Sequence, residues 1–271
     1  MAVSRRHEGS DLGARVIAAI PAIGFAIFIV AEGGTIFAAG IALLGAMACA
    51  ELFKMMRRPR PPVVAGYLVV IALVLAARFG DREQVLLLLV IGVPVVFFFT
   101  LLRPEFENAS WGMAVVFMAI MWIGLAFAHA VLLRQLDHGG GLVLDTLIGT
   151  FVGDTGAYFA GRAWGRRPLS PRLSPNKTLE GLIGGIAVGT FAFWFAGTYQ
   201  DWLNGVDALI IGASVAVAAP VGDLFESLIK RDNAVKDTGK VFGAHGGVLD
   251  RLDAVMFTVV TAYYVSLAVL S

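Results

Sequence analysis

The chain has 271 residues, of which 58% are hydrophobic, 15% are charged and 32 are glycine, with a mean hydropathy of +0.80. That is far more apolar than an ordinary soluble domain, and the apolar residues come in long runs, so a bilayer is the natural solvent. Lysine and arginine number 21 against 20 acidic residues, a formal net charge of +1 that gives no footing for a nucleic-acid partner.

Measured against the roughly 20 residues needed to cross a hydrocarbon core, the runs predict an all-α polytopic integral membrane protein with about nine transmembrane helices. In chain order they fall at 14–31, 34–52, 63–79, 84–102, 111–132, 141–160, 182–199, 206–229 and 254–270. Arg5, Arg6 and, at the very start of the first run, Arg15 precede its apolar stretch. It lacks a small-residue cleavage region and further spans follow closely, so it reads as a span rather than a signal peptide. The second run holds Cys49, the sole cysteine, which excludes a disulfide framework or a CxxC redox pair and leaves a small hydrophobe. After it, "KMMRRPRPP" (Lys54 to Pro62) has no acidic partner and no phosphate-cradling glycines, and reads as a topology determinant at the headgroups. In the sixth run, Asp145 is placed as a helix–helix hydrogen-bond partner or pore-side group, and Asp154 lies at the inner end after Gly153. The eighth run passes Pro220 and finishes in charged residues, so a helix that extends beyond the membrane or breaks at the proline is expected. The histidines, His7, His129, His138 and His245, are scattered and form no zinc motif.

Of the 21 basic residues, all but Arg78, Arg82 and Arg134 fall on the same side as the N-terminus if the spans alternate. The bias predicts a cytoplasmic N-terminus and a C-terminus on the opposite face. Residues 1–110 then form an N-terminal transmembrane region of about four helices. Residues 111–271 form a C-terminal transmembrane catalytic region with cytoplasmic loops 161–181 and 224–253.

Those two loops are richer in chemistry than topology requires. Asp223, Ser227 and Lys230 share one helical face at i, i+4 and i+7, and Asp250 and Asp253 lie three apart at the start of the last helix. A carboxylate from each helix could hold a divalent cation that bridges phosphates, with nearby lysines and arginines neutralising the remaining charge. "GAHGG" (Gly243 to Gly247) resembles an anion-binding nest. Simpler roles stand beside these. Asp250 could cap the last helix with Asp253 in its first turn, and His245 could order the glycine turn or exchange a proton. Glu226 and Asp232 are expected to pair with local bases, whereas Lys236 and Asp237 could both point to a ligand from a loop. In "SPNKTLEG" (Ser174 to Gly181), Thr178 followed by Gly181 makes a poor capping box, and there is no P-loop pattern.

The stretch Ser227 to Asp253 resembles the signature of the phosphatidate cytidylyltransferase family, the CDP-diacylglycerol synthases. It carries Ser227, Ile229, Lys230, Arg231, Lys236, Asp237, Gly239, Gly243, His245, Gly246, Gly247, Asp250, Arg251 and Asp253 in the family's order. A second block is similar, with Asp154, Ala157, Tyr158, Gly161, Arg162, Gly165, Leu169, Ser174, Pro175, Lys177, Thr178, Glu180 and Gly181. Pro220, Arg167 and Leu179 depart from the usual residues without removing a charged group. The resemblance implies transfer of a cytidylyl group from CTP to phosphatidate, with Mg2+, in a bacterial cytoplasmic (inner) membrane and with the active site facing the cytoplasm. It implies catalytic roles for Asp223, Lys230, Arg231, Lys236, Asp237, His245 and Asp250. Cofactor and nucleotide binding would fall to Asp154, Arg162, Ser174, Lys177, Thr178, Glu180, Ser227, Gly246, Gly247 and Arg251, and metal ligation to Asp223, Asp250 and Asp253. A homodimer, contact with membrane lipids and K+ as an additional ion belong to the same expectation. The alternatives are a CTP-dependent polyprenol kinase and a secondary transporter with a proton route through Asp145 and His129.

Overall fold

The computed structural model describes residues 8–239 and 246–270, with side chains from residue 20 onward. Helices α1 (Glu8–Glu32), α2 (Gly34–Met55), α3 (Val63–Phe79), α4 (Arg82–Leu101) and α5 (Ala109–Met118) lead into a π-helical turn, Ala119–Gly124. Then come α6 (Leu125–Gln135), α7 (Gly139–Trp164), strands β1 (Pro168–Ser170) and β2 (Ser174–Thr178), α8 (Leu179–Gly197), α9 (Gly205–Asp232) and α10 (Leu249–Leu270). The strands pair antiparallel as one small hairpin, Pro168 opposite Thr178 and Ser170 opposite Ser174.

Among the described residues, six helices are long and apolar enough to cross a membrane: Gly34–Met55, Arg82–Leu101, Ala109–Gln135, Leu179–Gly197, Gly205–Asp232 and Leu249–Leu270. This corrects the expectation of about nine, and the parity that set the C-terminus opposite the N-terminus falls with it. The reasons are local. Val63–Phe79 has only 17 residues, and the described apolar part of α1 is the short segment Ile20–Glu32. Helix α7 is long, but its glycines together with Asp145, Asp154 and Arg162 dilute its apolar character.

Local chemistry sets several helix starts. Asp81 accepts from Glu83 N at 2.7 Å while Gln84 accepts from Asp81 N at 2.9 Å, a reciprocal cap that starts α4. Asn204 Oδ1 accepts from Val206 N and Asp207 N at the start of α9. Helix α9 runs through Pro220 unbroken to Asp232, so the expected break at the proline does not occur. Proline has no N–H to donate to Ala216 O, so the helix continues there with one backbone hydrogen bond fewer.

Helices α2, α3 and α6 with the π turn bury Leu52, Val70, Leu73, Ile123 and Leu133 in a large apolar core. The α7–α8 contact is of another kind. Gly149, Gly153, Ala157 and Gly161 recur every four residues on α7 and face Gly181, Gly185 and Gly189 on α8. A Cβ at Gly189 would stand 2.8 Å from Gly149 O, and one at Gly185 would stand 2.7 Å from Ala157 Cβ. The two backbones therefore touch, the close approach that small residues allow between membrane helices where no hydrophobic force separates helix from lipid. Apolar side chains on the outer faces, such as Leu86, Val90 and Phe97 on α4 and Ile183, Phe191 and Phe195 on α8, are exposed.

The helix ends sort into two layers. At one end α2 meets α3, Arg60 pairs with Glu105 after α4, and the hairpin joins α7 to α8, beside the junction of α9 and α10. At the other, Arg134 Nε donates to Val30 O and Gln135 Nε2 to Arg78 O.

Gly185→Leu should force α7 and α8 apart at an overpacking cost of about 1–3 kcal/mol or more, read as a lower thermal midpoint in detergent. Gly24→Ala, where nothing lies within 4 Å of the added carbon, should be neutral or stabilise by up to about 1 kcal/mol. Equal midpoints for the two variants would contradict the packed seam.

Candidate active site

The hairpin is tied at both ends. Glu180 Oε2 accepts the Arg166 and Arg167 amides at 3.0 and 3.2 Å, and Leu179 N donates to Arg167 O at 2.8 Å, closing the loop onto the start of α8. Thr178 Oγ1 accepts from Gly181 N at 3.1 Å and is the N-cap of α8. The hydroxyl needs only the Gly181 amide, so the missing Glu or Gln at the third position does not prevent capping, contrary to the sequence expectation. From α9, Arg231 Nε donates to Leu173 O at 3.1 Å and pins the hairpin tip. Glu180, Thr178 and Arg231 thus shape the loop that carries Ser174 and Lys177.

Where α9 meets α10, Gly222 lets the helices touch, since a Cβ there would lie 3.0 Å from Ala254 Cα. The Lys230 ammonium then reaches Glu226 Oε2 at 2.6 Å, as expected of a local i,i+4 pair, and Asp250 Oδ1 at 2.9 Å across the junction. Glu226 is fully buried, and Asp253 adjoins it. Asp250 is saturated with donors. Besides Lys230, it accepts from Thr238 N at 2.9 Å, Thr238 Oγ1 at 3.0 Å and Gly247 N at 2.7 Å, all at Oδ2. It lies inside the helix, which starts at Leu249, so it is not the N-cap.

The capping role goes to a residue that sequence reasoning did not single out. Glu51, near the end of α2, is 6% exposed. It accepts from Val248 N at 3.0 Å and Leu249 N at 2.8 Å, and Thr238 Oγ1 lies 3.2 Å from it. Three consecutive amides, Gly247, Val248 and Leu249, are received by two carboxylates. An acid in an apolar run beside the basic stretch was the available signal.

Between α7, α8, α9 and the hairpin lies a cavity of about 730 Å3. Its polar wall holds Asp154, Arg162, Ser174, Lys177, Thr178, Asp223, Asp250 and Asp253. Its other wall is the small-residue seam of Gly149, Gly153, Gly185, Ala216 and Ala219 with Ile186. Lys177 is ion-paired with Asp223 across it. Asp154, Asp223 and Asp253 are near enough to repel one another, with Lys177 as a countercharge to Asp154. Among the described residues no group of three or more His, Cys, Asp or Glu stands ready to hold a metal unaided.

The sequence-predicted residues are therefore only partly gathered. Lys230 and Gly247 reach this wall through Asp250, whereas Ser227 and Gly246 do not line the cavity. Arg231, Lys236, Asp237 and Arg251 are exposed. Gly243 and His245 lie outside the described residues, as do Arg5, Arg6, His7 and Lys240 and the side chain of Arg15. Away from the cavity, His129 lies 3.0 Å from Tyr264 OH and 2.7 Å from Leu125 O, while Asp145 accepts from Gln200, so the two have separate partners.

A helical membrane protein with a charged cavity at the ends of its late helices is the class these features define. The profile of the Cytidylyltransferase family matches residues 13–269. Phosphatidate cytidylyltransferase of Bacillus subtilis (strain 168) is 31% identical over 270 residues, covering 94% of this chain and 97% of that protein. The Pseudomonas aeruginosa phosphatidate cytidylyltransferase is 32% identical over 252 residues, covering 89% and 91%. That of Thermotoga maritima is 41% identical over 136 residues, covering 48% and 50%. The chain belongs to the phosphatidate cytidylyltransferase family and is a nucleotidyltransferase enzyme.

Asp250→Asn should point an NH2 group at the Lys230 ammonium or at the Thr238 and Gly247 amides. Loss of a hydrogen bond to a charged group costs roughly 1.5–3 kcal/mol, so the thermal midpoint in detergent should fall clearly. An unchanged midpoint would show that these contacts do not hold the junction.

Proposed function

We propose that the chain is a CTP:phosphatidate cytidylyltransferase. A phosphate oxygen of phosphatidate attacks the α-phosphorus of CTP and forms the new P–O bond. The bond to the α–β bridging oxygen breaks, its electron pair leaves with pyrophosphate, and CDP-diacylglycerol results. The observation that carries this assignment is the two-sided cavity, charged at the helix ends and lined by an apolar small-residue seam toward the membrane. Its chemistry suits a substrate with an anionic head and apolar tails.

The donor set fits Mg2+: Asp154, Asp223 and Asp253 offer hard carboxylate oxygens on one wall, and Mg2+ usually takes one or two carboxylates together with substrate phosphates. Asp223 and Asp253 would hold it, and Asp250, whose oxygens already receive Lys230 and the loop amides, supports the wall beside them. Bound there, the ion neutralises triphosphate charge and polarises the α-phosphoryl group.

The chain's own cations do the rest of the charge work. Lys177, paired with Asp223, would turn to phosphate when an anion enters, and Arg162 adds a second donor on the same wall. Lys230, fixed between Glu226 and Asp250, keeps Asp250 oriented. Lys236 and Asp237 lie exposed beyond the polar wall, where soluble CTP arrives. Membrane lipids surround the outer faces, and a homodimer and K+ as a further ion belong to the same assignment.

The cavity end carries Arg57, Arg58, Arg60, Arg103, Arg166, Arg167 and Arg172, whereas Arg78, Arg82 and Arg134 lie at the other end. That bias supports a cytoplasmic active site in a bacterial inner membrane. A cysteine introduced at Asn176 should label only from the cytoplasmic side, and labelling from outside in intact cells would reverse the orientation.

Purified protein in phosphatidate-containing micelles with Mg2+ should move label from α-labelled CTP into lipid and release pyrophosphate. Lipid labelled only from γ-labelled CTP would identify a polyprenol-type kinase, and flux into sealed vesicles with neither label would indicate transport. Asp223→Asn should abolish turnover, because one anion fewer holds Mg2+ against the triphosphate; normal turnover in that variant would remove the metal from Asp223.

A further inference from the structure

The N-terminal helices carry one acid that reaches into the catalytic junction. Glu51 comes from α2, 198 residues before its partner Leu249, yet its carboxylate closes the α10 N-terminus. Each oxygen receives one backbone amide, Val248 N at Oε1 and Leu249 N at Oε2. Both donors would otherwise be orphaned at a buried helix start. The negative charge also opposes the positive end of the 22-residue helix dipole.

Glu51 and Asp250 act on the same group. The Thr238 hydroxyl lies within hydrogen-bond distance of both, at 3.2 and 3.0 Å. A side chain at Gly239 or Gly247 would run into the Glu51 carboxylate, so the backbone is fitted around it. With Thr238 and the α10 start held, Asp250 meets Lys230 at 2.9 Å and its wall of the cavity is set.

We infer that Glu51 is a positioning residue for the cytidylyl transfer assigned above: it fixes Asp250 and Lys230 by holding Thr238, Val248 and Leu249. It does not line the cavity and acts only through these residues. Glutamine in its place keeps the volume but offers one acceptor oxygen, and its NH2 meets an amide donor head-on. Glu51→Gln should therefore fail where a volume-filling role would be satisfied.

The test uses the purified full chain in detergent, with kcat, the KM for CTP and amide hydrogen exchange measured together. In Glu51→Gln, exchange at Gly247 to Leu249 should rise while the rest of α10 stays protected. The kcat should fall about ten-fold or more, the size of one lost charge-assisted hydrogen bond, with a smaller change in KM. Unchanged exchange or unchanged kcat would overturn the inference, as would a loss of activity that merely follows opening of every helix. If Glu51→Gln does not fold, Thr238→Val, which removes one of the three donors, should show the same pattern more weakly, and wild-type exchange and kcat there would overturn it. Because exchange is read without substrate, absence of cytidylyl transfer in the parent protein would sink the functional assignment while leaving the Glu51 geometry separately decided.

Discussion

Charge near a hydrocarbon layer must be neutralised where it stands, and one junction in this fold does so for Glu51, Glu226, Lys230 and Asp250. Lys230 sits between Glu226 and Asp250, while Glu51 and Asp250 receive the amides that open α10. An unpaired carboxylate in that position would be costly. Linked, the same groups join α2, α9 and α10 into one polar knot under the apolar core, and the cavity wall is built on it.

The knot would have nothing to face without the glycine seam. Contact between α7 and α8 sets how close the two helices lie, and the hairpin between them carries Ser174 and Lys177 over the cavity. Glu180 and Thr178 lock that hairpin with backbone bonds, and Arg231 fastens its tip to α9. Two kinds of packing thus cooperate: close backbone contact places the walls, and charge-assisted bonds orient the side chains on them.

Much of this was legible in the order of residues. The expected pairing of Glu226 with a local base is the Glu226–Lys230 ion pair, and the signature from Ser227 to Asp253 pointed to the family. Other features depend on contacts that spacing does not reveal. Glu51 stood out only as an acid in an apolar run; its partners, 187 to 198 residues away, are not marked by anything near it in sequence. Thr178 looked a poor cap because a capping box was sought, whereas a single hydroxyl–amide bond is enough. The count of membrane-crossing helices was overestimated because each apolar run was read as a span, although α3 is short and α7 is broken up by glycines and charges. The glycines of α7 and α8 were visible at four-residue spacing, but only their opposition across a shared face gives that spacing meaning.

The central claim is that Glu51 and Asp250 work as one unit through Thr238 and the α10 amides. A double-mutant cycle on turnover, with Glu51→Gln, Asp250→Asn and the double variant, tests it most directly. Residues that act through one network lose most of their effect together, so the double variant should be no slower than the slower single variant. Multiplied losses, each substitution slowing turnover by its own full factor, would mean that the two carboxylates act independently and would contradict the account.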